Sequence, residues 1–184
     1  MIREYLDDIK LICDSIDTQQ IAKFIDIIKH INRNGRLFIV GVGGSAANAS
    51  HAVNDFRKIL NIETYSPSDN VSELTARIND ESWADSYVSW LKTSKLSETD
   101  ILMVLSVGGG SINTSYNLVK SVDYAIGRGS KIISIVSRDG GHSLSHSDAC
   151  ILIPPIDKET ITPHAEEWQS IILHMVVHIL SKTK

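Results

Sequence analysis

Two cysteines in 184 residues, Cys13 and Cys150, lie far apart with no CxxC spacing. They cannot form a disulfide framework, and their apolar contexts suit buried thiols in a reducing compartment. No apolar run approaches the roughly 18 residues that a bilayer-spanning helix requires. The opening "MIREYLDDIKLICDS" is acidic and helical in pattern, which excludes a secretory leader of the usual kind. Basic charge is not in excess either: 18 Lys and Arg against 22 Asp and Glu give a net charge of −4. With no basic stripe, nothing in the charge pattern points to nucleic acid. Linkers, low-complexity tracts and internal repeats are absent. A cytoplasmic, single-domain protein spanning residues 1–184 is the expectation, since that length suits one buried core.

The first 33 residues hold neither glycine nor proline. Leu6, Ile9, Ile12 and Ile16 recur at helical spacing, and Ile21, Phe24, Ile25, Ile28 and Ile31 do so again. Asp17 and Thr18 can cap the second helix, and "NRNGR" ends it with a turn around Gly35. From there apolar runs alternate with helical patterns. The runs are "RLFIVGV" (36–42), "NIETYS" (61–66), "ILMVLSV" (101–107), "KIISIVS" (131–137) and "CILIPP" (150–155). The first, third and fourth are continuously apolar, as parallel strands covered on both faces must be. Helices are expected over 45–60, 82–96, 111–127 and about 163–182. The alternation predicts a doubly wound three-layer α/β/α domain with a parallel sheet, whose ligands bind beyond the carboxyl ends of the strands.

Three strands end in small or polar turns. "GVGGSA" fits a loose dinucleotide fingerprint, but the acidic residue at the right distance, Glu63, falls inside the second strand. No Lys-Ser/Thr follows the glycines, so it is not a Walker loop. "SVGGGSIN" places another glycine cluster after a strand, with Ser111 at the expected start of a helix. Backbone N–H groups there, with the Ser106 and Ser111 hydroxyls, can hold a phosphate dianion; an ordinary N-cap is the plainer alternative. Two such turns in one small domain suit a phosphorylated small molecule. In "SRDGGHS", Asp139-Gly140 is a turn signal that makes Arg138 and Asp139 structural by default.

The helix after the first turn carries His51 and Asp55 four residues apart, on one face. In the last helix Glu166, Ser170, His174 and His178 share a stripe, with Gln169 beside it. Polar groups along one face of an otherwise apolar helix call for a bound partner. His51, Asp55, Glu166 and His174 can together form a divalent-metal site, zinc being the usual choice for imidazole plus carboxylate. Satisfied core or interface histidines are the alternative.

The segments "GVGGSAANASHAVND", "TARINDESW", "DILMVLSVGGGSIN", "SRDGG" and the final Glu–His helix resemble, in this order, the sugar isomerase (SIS) domain. Within it the sedoheptulose 7-phosphate, or phosphoheptose, isomerases are most similar. The resemblance covers nearly the whole chain. It implies a five-stranded parallel sheet, a homotetramer assembled through the helices of residues 1–33, and zinc-assisted isomerisation of a phosphorylated sugar. By position it assigns phosphate and substrate contacts to Gly43, Gly44, Ser45, Asp80, Ser106, Gly108 and Ser111. It assigns the metal to His51, Asp55, Glu166 and His174, and the proton transfers to Asp55, His174 and Glu166. His174 cannot serve freely as both acid and ligand.

The chain also departs from its relatives' pattern. Typical members read GNGGS and STSGNS where this chain has "GVGGS" and "SVGGGS", so Val42, Val107 and Gly108 remove polar groups. Asp55 and Glu166 stand where relatives keep a glutamate and a glutamine. A phosphosugar-binding regulator or scaffold without catalysis is therefore the competing expectation.

Overall fold

The computed structural model describes residues 1–31 and 34–183; Asn32 and Arg33, within the expected turn before Gly35, lie outside the described residues. Five strands, β1 (Leu37–Gly41), β2 (Thr64–Tyr65), β3 (Ile101–Leu105), β4 (Lys131–Val136) and β5 (Ala149–Leu152), form one sheet. All pairs are parallel, in the order β2-β1-β3-β4-β5. The order in which strands are added reverses between β1 and β3, the switch point at which such sheets open a crevice.

Strand alternation explains the layers. Leu37 and Ile39 of β1, Met103 and Leu105 of β3, and Ile133 and Ile135 of β4 all enter one apolar cluster. Helices α1 (Ile2–Ser15), α2 (Thr18–Lys29), α3 (Gly44–Lys58) and α8 (Ile161–Lys182) complete that cluster through Ile12, Phe24, Phe56 and Ile172. Phe38, Val40, Leu102, Val104 and Ile132 point the other way, toward α5 (Trp83–Thr93) and α6 (Tyr116–Gly127). Both faces of the central strands are thus covered, which is why their sequences run apolar without interruption. Asp17 caps α2 by accepting from the Gln19 and Gln20 amides at 2.8 and 3.2 Å.

At the amino end of the sheet, Arg36 binds Asp100 through its backbone N–H (2.9 Å), Nε (3.1 Å) and Nη2 (2.9 Å). Burial alone would raise the Asp100 pKa, but the donors of Arg36 and Ser97 outweigh it and hold the carboxyl below its usual range. The sheet is pinned at the end opposite its ligand crevice.

Several local expectations are corrected. Helix α6 starts at Tyr116 and not at Ser111, because the chain passes through left-handed conformations at Gly109, Gly110 and Ser115 (φ 69, 83 and 55°). Strand β2 is shorter than 61–66, with Asn61 also left-handed. Helix α4 (Val71–Asp80), capped by Asn70, and α7 (Gly141–His146) were not foreseen. Cys13 is exposed on α1; only Cys150 is buried, where desolvation pushes its thiol up to about 12. Among the described residues, no helix is long and apolar enough to cross a membrane.

Candidate active site

The turns after β3 and β4 form one wall. Ser137 N–H donates to Val107 O (2.9 Å), His142 N–H to Gly110 O (3.0 Å) and Ser143 N–H to Gly109 O (3.0 Å). The buried Ser143 hydroxyl adds a bond to Gly109 O at 2.8 Å. A side chain on Gly109 would overlap the Gly140 carbonyl, so glycine is what allows the two turns to meet. The turn after β1 is steadied from the α5 side, where the Tyr87 hydroxyl donates to Gly41 O at 2.7 Å. Burial pushes that phenol up to about 12.

These turns border a cavity of about 650 Å³. Val42, Ser106, Val107, Gly108, Ser111, Arg138, Asp139 and Thr162 are among the residues that line it. Ser106 Oγ accepts from Gly109 N–H (3.1 Å), and Ser111 Oγ accepts from the Asn113 and Thr114 amides (3.3 and 3.1 Å). Each hydroxyl therefore keeps its own proton to donate, as an anion requires. Ser111 thus closes its own turn and does not cap a helix.

A second cluster lies on the paired helices α3 and α8, which run in register. Glu166 packs on Gly44, Asn48 Nδ2 donates to Glu166 O (2.8 Å) and to Gln169 Oε1 (3.1 Å), and His51 meets His174. The two imidazoles face each other with Nε2 atoms 3.0 Å apart and rings nearly perpendicular at 79°. Asp55 Oδ2 lies 3.4 Å from His51 Nε2 and 3.8 Å from His174 Nε2. Its other oxygen accepts from Asn54 Nδ2 at 2.9 Å.

His51, Asp55 and His174 each offer one ligand atom within 4.8 Å of the others, so this group can hold a metal ion. Two nitrogens bound tetrahedrally to zinc would stand roughly 3.3 Å apart, close to the spacing seen. The chemistry fits as well: two neutral imidazole nitrogens at 3.0 Å need a shared proton or a cation between them.

Glu166 is not a member of that trio. It lies eight residues before His174, about 12 Å along the helix axis, and its carboxylate covers the first residue of α3. There the partial positive charge of the helix N-terminus favours it.

Of the residues expected to bind phosphate, Ser106, Gly108 and Ser111 line the cavity. Ser45 is 1% exposed, its hydroxyl without a protein partner among the described residues, and it lies outside that lining. Gly43 and Gly44 stand at the head of α3, also outside it. Asp80 is exposed at the end of α4, its Oδ1 accepting from Asn79 Nδ2 at 2.7 Å. Arg138 and Asp139, taken from sequence as turn residues only, both face the cavity. A hint was available: an arginine beside Asp-Gly in a tight turn at the carboxyl end of a strand. The structure gives Arg138 a left-handed φ of 53°.

Comparison with known proteins agrees with this architecture. A protein named probable phosphoheptose isomerase from Thermoplasma volcanium is 30% identical over 174 residues, covering 90% of this chain and 83% of its own. A phosphoheptose isomerase of Helicobacter pylori is 26% identical over 161 residues, covering 85% and 79%. In fold, the solved phosphoheptose isomerase of Neisseria gonorrhoeae superposes with a TM-score of 0.84 at 20% identity, over 98% of this chain and 96% of that one. Residues 4–137 match the SIS domain, and the chain belongs to that family.

Proposed function

We infer that the protein isomerises a phosphorylated sugar between ketose and aldose, with sedoheptulose 7-phosphate as substrate and glycero-manno-heptose 7-phosphate as product. The observation that carries this is the convergence of His51, Asp55 and His174 on one helix pair, with Thr162 at the start of α8 and Val42 just ahead of α3 lining the anion-type cavity. Gly44 to His51 is seven residues, about 10 Å of helix. That span suits an extended seven-carbon chain with its phosphate in the turns and its carbonyl at the histidines. The curated relatives, named phosphoheptose isomerases, support the same substrate.

His51, Asp55 and His174 would hold a divalent ion, zinc matching two imidazoles and a carboxylate. When bound, zinc supplies Lewis-acid polarisation of the carbonyl. The facing geometry of the imidazoles favours the ligand role for His174. Asp55 takes the proton from the carbon: its Oδ1, which accepts from Asn54 Nδ2, retains a lone pair for it. Glu166, nearer the cavity, orients the sugar hydroxyls, and it is the alternative base. Exposed Ile2, Leu6 and Leu11 on α1 support assembly through the N-terminal helices, as a homotetramer in the cytoplasm.

A coupled isomerase assay on sedoheptulose 7-phosphate, run on metal-analysed protein, tests this. Turnover is expected to vanish with a chelator and return with zinc. Zinc-replete protein that binds the sugar phosphate without turning it over would instead be a non-catalytic binder.

A further inference from the structure

The cavity has a charge problem. Against the family pattern its second turn lacks two hydroxyls, at Val107 and Gly108, yet a sugar phosphate brings two negative charges. Among the described lining residues, Arg138 is the cation. Its guanidinium makes no hydrogen bond or ion pair with any described residue. The neighbouring Asp139 is occupied otherwise, accepting from Gly141 N–H at 3.3 Å.

Resting on the sugar-phosphate reading above, we propose that Arg138 is the specificity-determining residue for the phosphate, supplying the charge that the second turn's missing hydroxyls do not. Three features converge on it. Its stem runs beside the second turn at Gly108, where an added Cβ would stand 3.7 Å from Arg138 Cδ, in ordinary contact, so the side chain lies against the turn that holds the phosphate. Its backbone holds φ at 53°, a conformation that a non-glycine residue adopts at a cost and that persists where the surroundings impose it. Here they do, since the turn is tied by the Ser137–Val107, His142–Gly110 and Ser143–Gly109 bonds. The guanidinium fork matches phosphate oxygens two at a time, which a lone hydroxyl cannot.

Two variants test the assignment. Arg138→Gly suits the left-handed backbone, so its melting temperature without ligand should equal or exceed that of the wild type. Its KM for sedoheptulose 7-phosphate should rise about ten- to hundred-fold, with kcat changed by less than about three-fold. Stabilisation of the protein by inorganic phosphate, read as a melting shift, should largely disappear in the same variant. Arg138→Lys should recover part of both, because it keeps the charge and loses the fork. An unchanged KM and phosphate shift in Arg138→Gly overturns the proposal, as does a wild type that phosphate does not stabilise. If neither protein turns over the sugar, the phosphate shift alone decides: its loss in the variant upholds Arg138 while the isomerase reading fails.

Discussion

The cavity wall and the histidine face sit on one molecule but are built differently. The wall is backbone: three amide-to-carbonyl bonds join the turns after β3 and β4, over a glycine contact that excludes any side chain. The histidine face is side chains alone, with His51 and His174 more than half exposed and Asp55 at 14% exposure between them. The backbone frame of the wall comes with the fold and is lost only when the fold is disturbed, whereas the cation it carries, Arg138, is a side chain. A side-chain site can be erased by one substitution that leaves the fold intact.

The largest expected effect follows from that difference. Asp55→Asn keeps the shape and the Asn54 contact but removes both the base and the carboxylate ligand of the metal group, so kcat should fall about 10²- to 10⁴-fold and metal content should fall with it. The melting temperature should stay within a few degrees. His174→Ala should abolish metal binding or turnover in the same fold-preserving way, and full activity in that variant would sink the mechanism. Glu166→Gln, which restores the relatives' residue, should cost less than about ten-fold in kcat. Kinetics in which Glu166→Gln is the worse enzyme would move the base to the cavity side of the helix pair.

Gly109→Ala attacks the wall instead. The added methyl meets the Gly140 carbonyl, and φ of 69° strains any L side chain. A loss of about 3 kcal/mol is expected, roughly 6–12 °C in Tm for a chain of this size. Phosphate stabilisation should weaken with it, whereas metal content at His51, Asp55 and His174 should not change. Loss of the metal in Gly109→Ala would show that the two regions are coupled.

Sequence and structure agree where the information is local or strongly repeated. Strands β1, β3 and β4 could be read because Phe38, Val40, Leu102 and Val104 face one layer while Leu37, Ile39, Met103 and Leu105 face the other. The His51–Asp55 pairing follows from helical spacing alone. Ser111 misled because it has the chemistry of an N-cap, but its hydroxyl is taken up by the Asn113 and Thr114 amides. Helix α4 carried its own signal, Asn70 accepting from Glu73 N–H, hidden inside a stretch read as connection. Placing Arg138 at the cavity needed a contact between Gly109 and Gly140, thirty-one positions apart, which no local pattern encodes. Glu166 and His174 share a helical stripe, but a stripe gives the face and not the separation along it.

The smallest effect concerns Val42, the residue that stands where relatives keep asparagine. It lines the cavity on one side and packs against the Phe38 and Val40 cluster on the other. Val42→Asn should therefore act in two opposed ways. Lost apolar contact should cost about 1 kcal/mol, or some 2–4 °C in Tm. A new amide donor toward the cavity should lower KM for sedoheptulose 7-phosphate by up to about five-fold. The gain should be larger in the Arg138→Gly background, where the phosphate lacks its cation and one more donor matters more. A fall in Tm with no change in KM in either background would make Val42 a packing residue only. The charge of Arg138, and not the polarity of the first turn, would then set the phosphate affinity of the wall.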